Sequence, residues 1–340
     1  GPRPRDLWIA PLDGSSPATL IASNVTSYVL SPDSRGALFY EYSSAAYHFR
    51  RVPLDGSEAP LALADYQSHA FLPVMTFTPD GSRAVIRAEP NNSYLFTAAM
   101  QGPADVRVLL VASIVLDSVE ATAGGRLLFC APLAGDTQVT LHSLALDGSD
   151  PRRISSGTSW VGAFHVAPNG TDVVYTDQGQ LFRAAIDGSS PPVPLSGTVA
   201  GPSFAGFAPD GTRLVFASSP TSELFSVPLD GSTAPLRISR TGIAGGAVKL
   251  PLFITPDSRS ALYAADHEAT GAFDLWLAPL DGSSPALRLS PPLAPPGVID
   301  YRLAPDGQRA LYSAEERVGV VELFTVPFPS LPQDRHLLPR

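Results

Sequence analysis

The sequence predicts an all-β chain: a seven-bladed β-propeller of four-stranded antiparallel blades. Three observations predict it. A turn motif, apolar-Pro-Leu-Asp-Gly-Ser, recurs along the 340 residues, and Asp6-Leu-Trp-Ile-Ala-Pro-Leu-Asp-Gly-Ser-Ser-Pro-Ala18 returns at Asp274–Ala286 with twelve of thirteen positions identical. Its glycines fall at 14, 56, 102, 148, 188, 231 and 282, in steps of 40 to 51 residues, a period the size of a propeller blade. A second turn motif, Pro-Asp-Gly or Pro-Asp-Ser, alternates with the first, and no segment carries the 3.6-residue apolar period of a helix.

In chain order, Leu7–Leu12 and Ala18–Ala22 read as strands joined by Asp13-Gly14, a two-residue hairpin turn in which Gly supplies positive φ and Asp tolerates it. Tyr28-Val-Leu-Ser-Pro-Asp-Ser34 then leads into the strand Gly36–Tyr40. Its proline presets φ, and its aspartate can bond the backbone two residues on. The same marker returns at Thr76–Gly81, Val166–Gly170, Phe207–Gly211, Ile254–Ser258 and Leu303–Gly307, with an eroded copy at Ala121–Gly125. Each is followed by a strand, such as Ala84–Ile86, Leu214–Phe216 or Ala310–Tyr312, then a polar loop and the next Leu-Asp-Gly-Ser hairpin. Four short strands with two alternating turns, repeated radially, make a propeller.

The Pro-Asp marker occurs seven times and sets the blade number. Eight blades is the alternative, if residues upstream supply another inner pair, because Val321–Pro327 gives the Leu-Asp-Gly hairpin an eighth candidate. The N-terminal hairpin competes with residues 321–338 for the outer strands of the last blade. Residues 1–5 read as a linker remnant, 6–328 as one propeller domain closed by its N- and C-terminal strands, and 329–340 as a C-terminal tail.

Charged residues make up 16% of the chain and hydrophobic ones 44%, with 35 Pro and 28 Gly, a composition suited to short strands and tight turns rather than helices or disorder. The net charge is −9 and Lys249 is the one lysine, which argues against a nucleic-acid partner. No apolar run of about 18 residues predicts a membrane-spanning helix. Cys130 is the single cysteine; it excludes an intramolecular disulfide and a cysteine-clustered zinc site, and reads as a buried hydrophobe.

The alternation of Ser/Thr/Ala-Pro-Asp-Gly with apolar-Pro-Leu-Asp-Gly-Ser resembles the WD40-like PD40 repeat of the TolB-type propeller and of the propellers in prolyl-oligopeptidase-type enzymes, over residues 6–328. The matching residues build turns, so the resemblance implies the fold. Through TolB it also implies an extracytoplasmic bacterial setting, periplasmic or secreted, and a protein or peptide partner. The prolyl-oligopeptidase-type relatives keep their catalytic machinery in a separate α/β domain, for which this chain has no room. A monomer is expected.

In such a propeller the segments before each Pro-Asp turn and the loops after each second strand crowd one mouth. Counting back from the turns places Glu120, His165 and Arg302 at equivalent inner-strand positions, with Asp117 and Asp300 near the rim and His69, Trp160 and Lys249 further out. The loop Ala264–Gly271 adds Asp266 and His267. These residues read either as hydrogen-bonded groups lining a wet binding channel or as a metal site in which His69, His165 and His267 converge from separate repeats. Histidines build such a site in the oligogalacturonate-lyase-like relatives, but no motif of that family matches here residue by residue. Trp160, a lone loop tryptophan, reads as a contact residue. Trp8 and Trp276, at the same place in two repeats, are expected to pack between blades, and His48 and His142 to be packed within third strands.

Catalytic signatures are missing. Gly157-Thr-Ser-Trp-Val161 imitates a nucleophile elbow without its final glycine and precedes a strand, and His267-Glu268 lacks a second histidine at zinc-protease spacing. No catalytic residue and no cofactor is assigned, a divalent metal being the alternative. The expected function is a non-catalytic binding platform with its ligand at the channel mouth. The alternatives are an enzyme of the mouth, either a polysaccharide lyase or a metal-assisted hydrolase, and a spacer or sensor domain of a larger surface protein.

Overall fold

The computed structural model describes residues 5–11, 13–43, 46–67, 74–88, 93–112, 119–132, 138–156, 161–240, 242, 246–317 and 319–329. These residues form seven antiparallel sheets in chain order, and no helix. Five sheets have four strands, the first has five and the last three. This is the blade set of a seven-bladed β-propeller. The chain divides into two compact units, one of Gly1–Val166, Gly170–Val173 and Ala184–Pro192, the other of Ala167–Asn169, Val174–Arg183 and Val193–Arg340.

The Asp-Gly turns differ from the expected two-residue form. The glycine N–H bonds back to the carbonyl three residues earlier, Gly14 to Pro11, Gly231 to Pro228 and Gly282 to Pro279, at 3.2, 3.0 and 3.2 Å. In the seven repeats the glycine carries the positive φ, 67° to 86°, and in the six where an aspartate precedes it that aspartate does not. The aspartate is held by its own side chain: Oδ1 accepts the amide of the serine two residues on, at 2.9 Å for Ser15, Ser57, Ser149, Ser189, Ser232 and Ser283. That bond fixes the corner locally and leaves the left-handed position to glycine. In the Pro-Asp turns Ser31, Thr78 and Thr255 add a relay. Each hydroxyl donates to the aspartate two residues on, at 2.5, 2.6 and 2.6 Å, and accepts the amide five residues on, at 2.9, 3.1 and 3.0 Å.

With the turns set, alternation along each strand sends apolar side chains to both faces, where neighbouring sheets share them. In the first unit, Leu38, Tyr40 and Phe49 of the first sheet pack on Phe77, Ile86 and Phe96 of the second, and Val85 and Leu95 of the second meet Leu127 and Phe129 of the third. In the second unit, Val215 and Ile238 of the fifth sheet meet Tyr263 and Trp276 of the sixth. Leu262 and Leu275 of the sixth meet Tyr301 and Tyr312 of the seventh.

The N-terminal strand Arg5–Ile9 pairs with Thr19–Leu30 in the first sheet, Trp8 opposite Leu20, and not with the last sheet. The last sheet consists of Val298–Leu303, Arg309–Arg317 and Val320–Pro327. Trp8 is 55% exposed and Trp276 0%, so the two copies do not share the buried role expected of both. Arg5–Ile9 is an edge strand, whereas Asp274–Pro279 is the third of four strands.

The glycines rank themselves for mutation. A Cβ at Gly282 would collide with Cδ2 of Leu236, whereas one at Gly14 meets open space. Gly282→Val is expected to destabilise by about 1–3 kcal/mol from backbone strain alone, with the overlap adding to it, and to cost more than Gly14→Val. Ser34 carries a φ of 57° without glycine's freedom, so Ser34→Gly is expected to stabilise by about 0.5–1 kcal/mol. Urea titrations check both; a neutral Gly282→Val would overturn the turn geometry.

Candidate functional site

In each four-stranded sheet the Pro-Asp and Asp-Gly turns close one end. The opposite end carries the loop between second and third strands and the start of the leading strand. Of the predicted polar residues of the second unit, Lys249, Asp266 and His267 lie at this opposite end of the sixth sheet, whereas Asp300 and Arg302 lie along the leading strand of the seventh, Arg302 next to its last residue.

The leading strands there are Val248–Ile254 and Val298–Leu303. Lys249 Nζ donates to the carbonyls of Ile299 at 3.0 Å and Val298 at 3.5 Å, and stands 5.3 Å from the Phe273 ring. The Tyr301 hydroxyl donates in return to the carbonyls of Lys249 and Pro251; burial pushes this phenol up to about 12. Asp300 and Arg302 occupy the exposed face of their strand. Their side chains pair at 2.6 Å, and the guanidinium lies 5.9 Å from the Phe253 ring. Leu250 and Ile299 are exposed on the same two strands.

The loop after the second strand of the sixth sheet is pinned by Asp266. Its buried carboxylate accepts the amides of Ala247 at 2.5 Å and Gly271 at 2.8 Å, so both oxygens are satisfied by backbone. His267 is buried edge-on to Tyr263 and Trp276, with ring centroids 5.9 and 5.5 Å away, and among the described residues its Nε2 has no hydrogen-bond partner. Loss of water holds this imidazole below its usual range and therefore neutral at neutral pH. Glu268 pairs with Arg240 at 3.0 Å and with Arg288 at 2.5 Å, and Arg240 lies 5.4 Å from the Trp276 ring.

In the first unit, Glu120 and His165 lie on the leading strands of the third and fourth sheets. The Glu120 carboxylate accepts the Val166 amide, and loss of water pushes the carboxyl above, and the His165 imidazole below, its usual range. His69, Asp117 and Trp160 lie outside the described residues. Among the described residues, no group of three or more His, Cys, Asp or Glu is placed to hold a metal ion.

The sequence alone missed several contacts. His48, expected to be packed, has Nε2 3.1 Å from Ser43 Oγ and Nδ1 2.8 Å from Asp65 Oδ1. Strand pairing assembles this chain, His48 standing opposite Asp65, and pairing across strands has no local signal. Asp65 is 67% exposed, so water screens the carboxylate that would have to orient a catalytic imidazole. The sequence also gave no sign of the guanidinium and aromatic partners Arg240, Arg288, Phe253 and Phe273. A groove of about 680 Å³ lies among the turns of the first two sheets. Its buried arginine, Arg51, donates to the carbonyls of Met100 and Gly102 and so braces a turn.

No protein-family model and no curated protein matches this sequence. Among solved structures the chain is similar to a crystal structure of the eukaryotic initiation factor, with a TM-score of 0.57 and 14% identity over 91% of this chain and 82% of that one. At that identity the likeness is one of fold. It is also similar to TolB from Acinetobacter baumannii, with a TM-score of 0.39 and 15% identity over 75% of this chain; it spans 60% of that TolB chain.

The neutral state of His267 sets a pH dependence. Its folded pKa lies below the ordinary value of 6.5, so the unfolded chain binds the proton first as pH falls. Stability is then full above pH 6.5 and declines as the pH drops through that value toward the folded pKa. Urea unfolding at pH 7.5 and 5.5 is expected to show a smaller loss on acidification for His267→Gln than for the parent chain. Equal losses would mean that this imidazole is not the desolvated group.

Proposed function

We propose that this chain is a non-catalytic propeller that binds a protein or peptide segment along the exposed leading strands of its sixth and seventh sheets. One observation carries the reading. The groups that could perform chemistry there are committed to the fold, Asp266 to two amides, Lys249 to two carbonyls and His267 to two rings. Asp300, Arg302, Leu250 and Ile299 are left facing solvent. One anion, one cation and two aliphatic side chains on the leading strands of neighbouring sheets can orient a chain by charge and take up its apolar side chains. The resemblance of the turn motifs to TolB-type repeats supports an extracytoplasmic setting for that encounter.

Peptides selected by display on the immobilised protein test this reading. Binding is expected to weaken about tenfold or more in Arg302→Glu and in Asp300→Arg, both surface changes with little effect on folding. Undiminished affinity in both variants would place the binding surface elsewhere.

A second reading, acyl transfer, is favoured only by the Ser43–His48–Asp65 chain. A fluorophosphonate probe is expected to leave Ser43 unlabelled. Labelling at Ser43 that disappears in His48→Gln would replace the binding reading with a catalytic one.

A further inference from the structure

The second and third sheets hold an arginine under their turns in the same way. In the third, Arg126 stands opposite Ala145, three residues before the turn glycine Gly148. Its guanidinium donates to the Asp150 carboxylate at 3.0 Å and to the Asp150 carbonyl at 2.8 Å, and its Nε to Ser143 Oγ at 3.1 Å. In the second, Arg83 stands opposite Ala99 and makes the same three bonds to Asp105 and Thr97, at 2.8, 3.0 and 3.2 Å. The socket is a carboxylate, the carbonyl of the same residue and a hydroxyl on the next strand.

The first sheet keeps the acid of this socket without the arginine. Gly36 stands opposite Pro53, three residues before Gly56, in the register of Arg83 and Arg126. Glu58 follows Gly56 by two residues, as Asp150 follows Gly148. Among the described residues Glu58 has no ion pair. Its charge acts on Arg51, but that guanidinium gives its terminal nitrogens to the carbonyls of Met100 and Gly102.

The groove of about 680 Å³ lies at this place, with Gly36, Glu58, Asp33, Asp55, Arg35 and Arg51 in its wall. Three carboxylates against two guanidiniums leave one negative charge, which a single added cation neutralises. Arg51 supplies a second, independent sign of a ligand. It is 4% exposed, and its Nε has no hydrogen-bond partner among the described residues. A buried donor without an acceptor is costly, and the wall is completed by a ligand that carries an acceptor beside its cation, as an arginine residue does in its main-chain carbonyl.

We propose that this groove binds an arginine residue of a partner protein or peptide, its guanidinium paired with Glu58 as Arg126 is paired with Asp150. Arginine fits better than lysine because its planar fork can meet a carboxylate and a neighbouring carbonyl together. The groove shares no residue with the surface of Asp300 and Arg302, so either site can fail while the other stands.

Amide chemical shifts of the full chain, titrated with the capped tripeptide Gly-Arg-Gly, test the proposal. Saturable shifts are expected at Gly36 and Glu58. Affinity is expected to fall about tenfold or more when citrulline, a neutral isostere, replaces the arginine, and by a similar factor in Glu58→Gln. Gly36→Arg is expected to abolish binding by filling the socket from within. Gly36 has no positive φ, and a Cβ there meets Met100 Cε and Val52 O at 3.4 Å, so the variant is expected to fold; Glu58→Gln keeps the test open if it does not. No binding of the arginine tripeptide overturns the proposal, as does equal binding of the citrulline peptide or undiminished affinity in Glu58→Gln. An equal loss in Glu322→Gln, which removes the same charge from the seventh sheet, also overturns it, in favour of attraction to the overall negative charge of the chain.

Discussion

The structure depends on an aspartate carboxylate accepting the amide two residues further along the chain. The bond recurs at 2.9 Å in six Asp-Gly-Ser turns, and at 2.9 to 3.1 Å in the Pro-Asp turns of Arg35, Ser82, Thr212, Arg259 and Gln308. It is local, and its formation requires no partner strand. Because it fixes where each strand starts, it also fixes which side chains face which neighbouring sheet. Hydroxyl bonds from Ser31, Ser57 and Thr78, with the amide bonds behind them, hold the carboxyls of Asp33, Asp55 and Asp80 below their usual range, and the amide bonds lead in doing the same for Asp13 and Asp230. These carboxyls are therefore ionised, and accept best, at neutral pH.

A second regularity concerns a place rather than a residue. In the second, third and fifth sheets an arginine at the start of the second strand reaches a hydroxyl on the third: Arg83 to Thr97, Arg126 to Ser143 and Arg213 to Ser226, at 3.2, 3.1 and 2.8 Å. In the first sheet the arginine position is Gly36, and the guanidinium comes instead from the next strand, Ala46–Pro53, as Arg51. Arg83 and Arg126 brace their own sheets through Asp105 and Asp150 at 2.8 and 3.0 Å, whereas Arg51 reaches the turn carbonyls of Met100 and Gly102 in the next sheet. In these four sheets a cation lies under the turns, and either strand supplies it. The buried Arg51 gives its two terminal nitrogens to carbonyls, while its Nε has no hydrogen-bond partner among the described residues.

The sequence disclosed most of the fold because its turn chemistry is local. Proline, aspartate and glycine at fixed offsets report a corner whatever surrounds it, so the seven leading strands and most of their partners could be placed. What depends on distant pairing could not be read. Trp8 and Trp276 sit in nearly identical thirteen-residue segments, yet one is exposed and the other buried, because only the second has a strand on each side. His48 gives no local sign of Asp65, seventeen residues away. The site was legible as a set of residue types and illegible as chemistry. Asp266 looks like a ligand until both oxygens are found on amides, and His267 looks like a base until the rings of Tyr263 and Trp276 enclose it.

The division of labour between the two ends of each sheet follows from the same constraint. At the turn end nearly every position is held by geometry: a proline for φ, an aspartate for the amide, a glycine for the left-handed corner, an arginine beneath. Change there costs folding. At the opposite end the connections vary freely, from the two residues Gln178-Gly179 in the fourth sheet to the eight of 266–273 in the sixth. Length and composition can change there because the strands are already registered by their turns, and the loop needs only to satisfy its own backbone, as Asp266 does. Variation that does not threaten the fold is the raw material for recognition. Between those two ends, on the exposed face of the leading strand of the seventh sheet, Asp300 and Arg302 meet solvent.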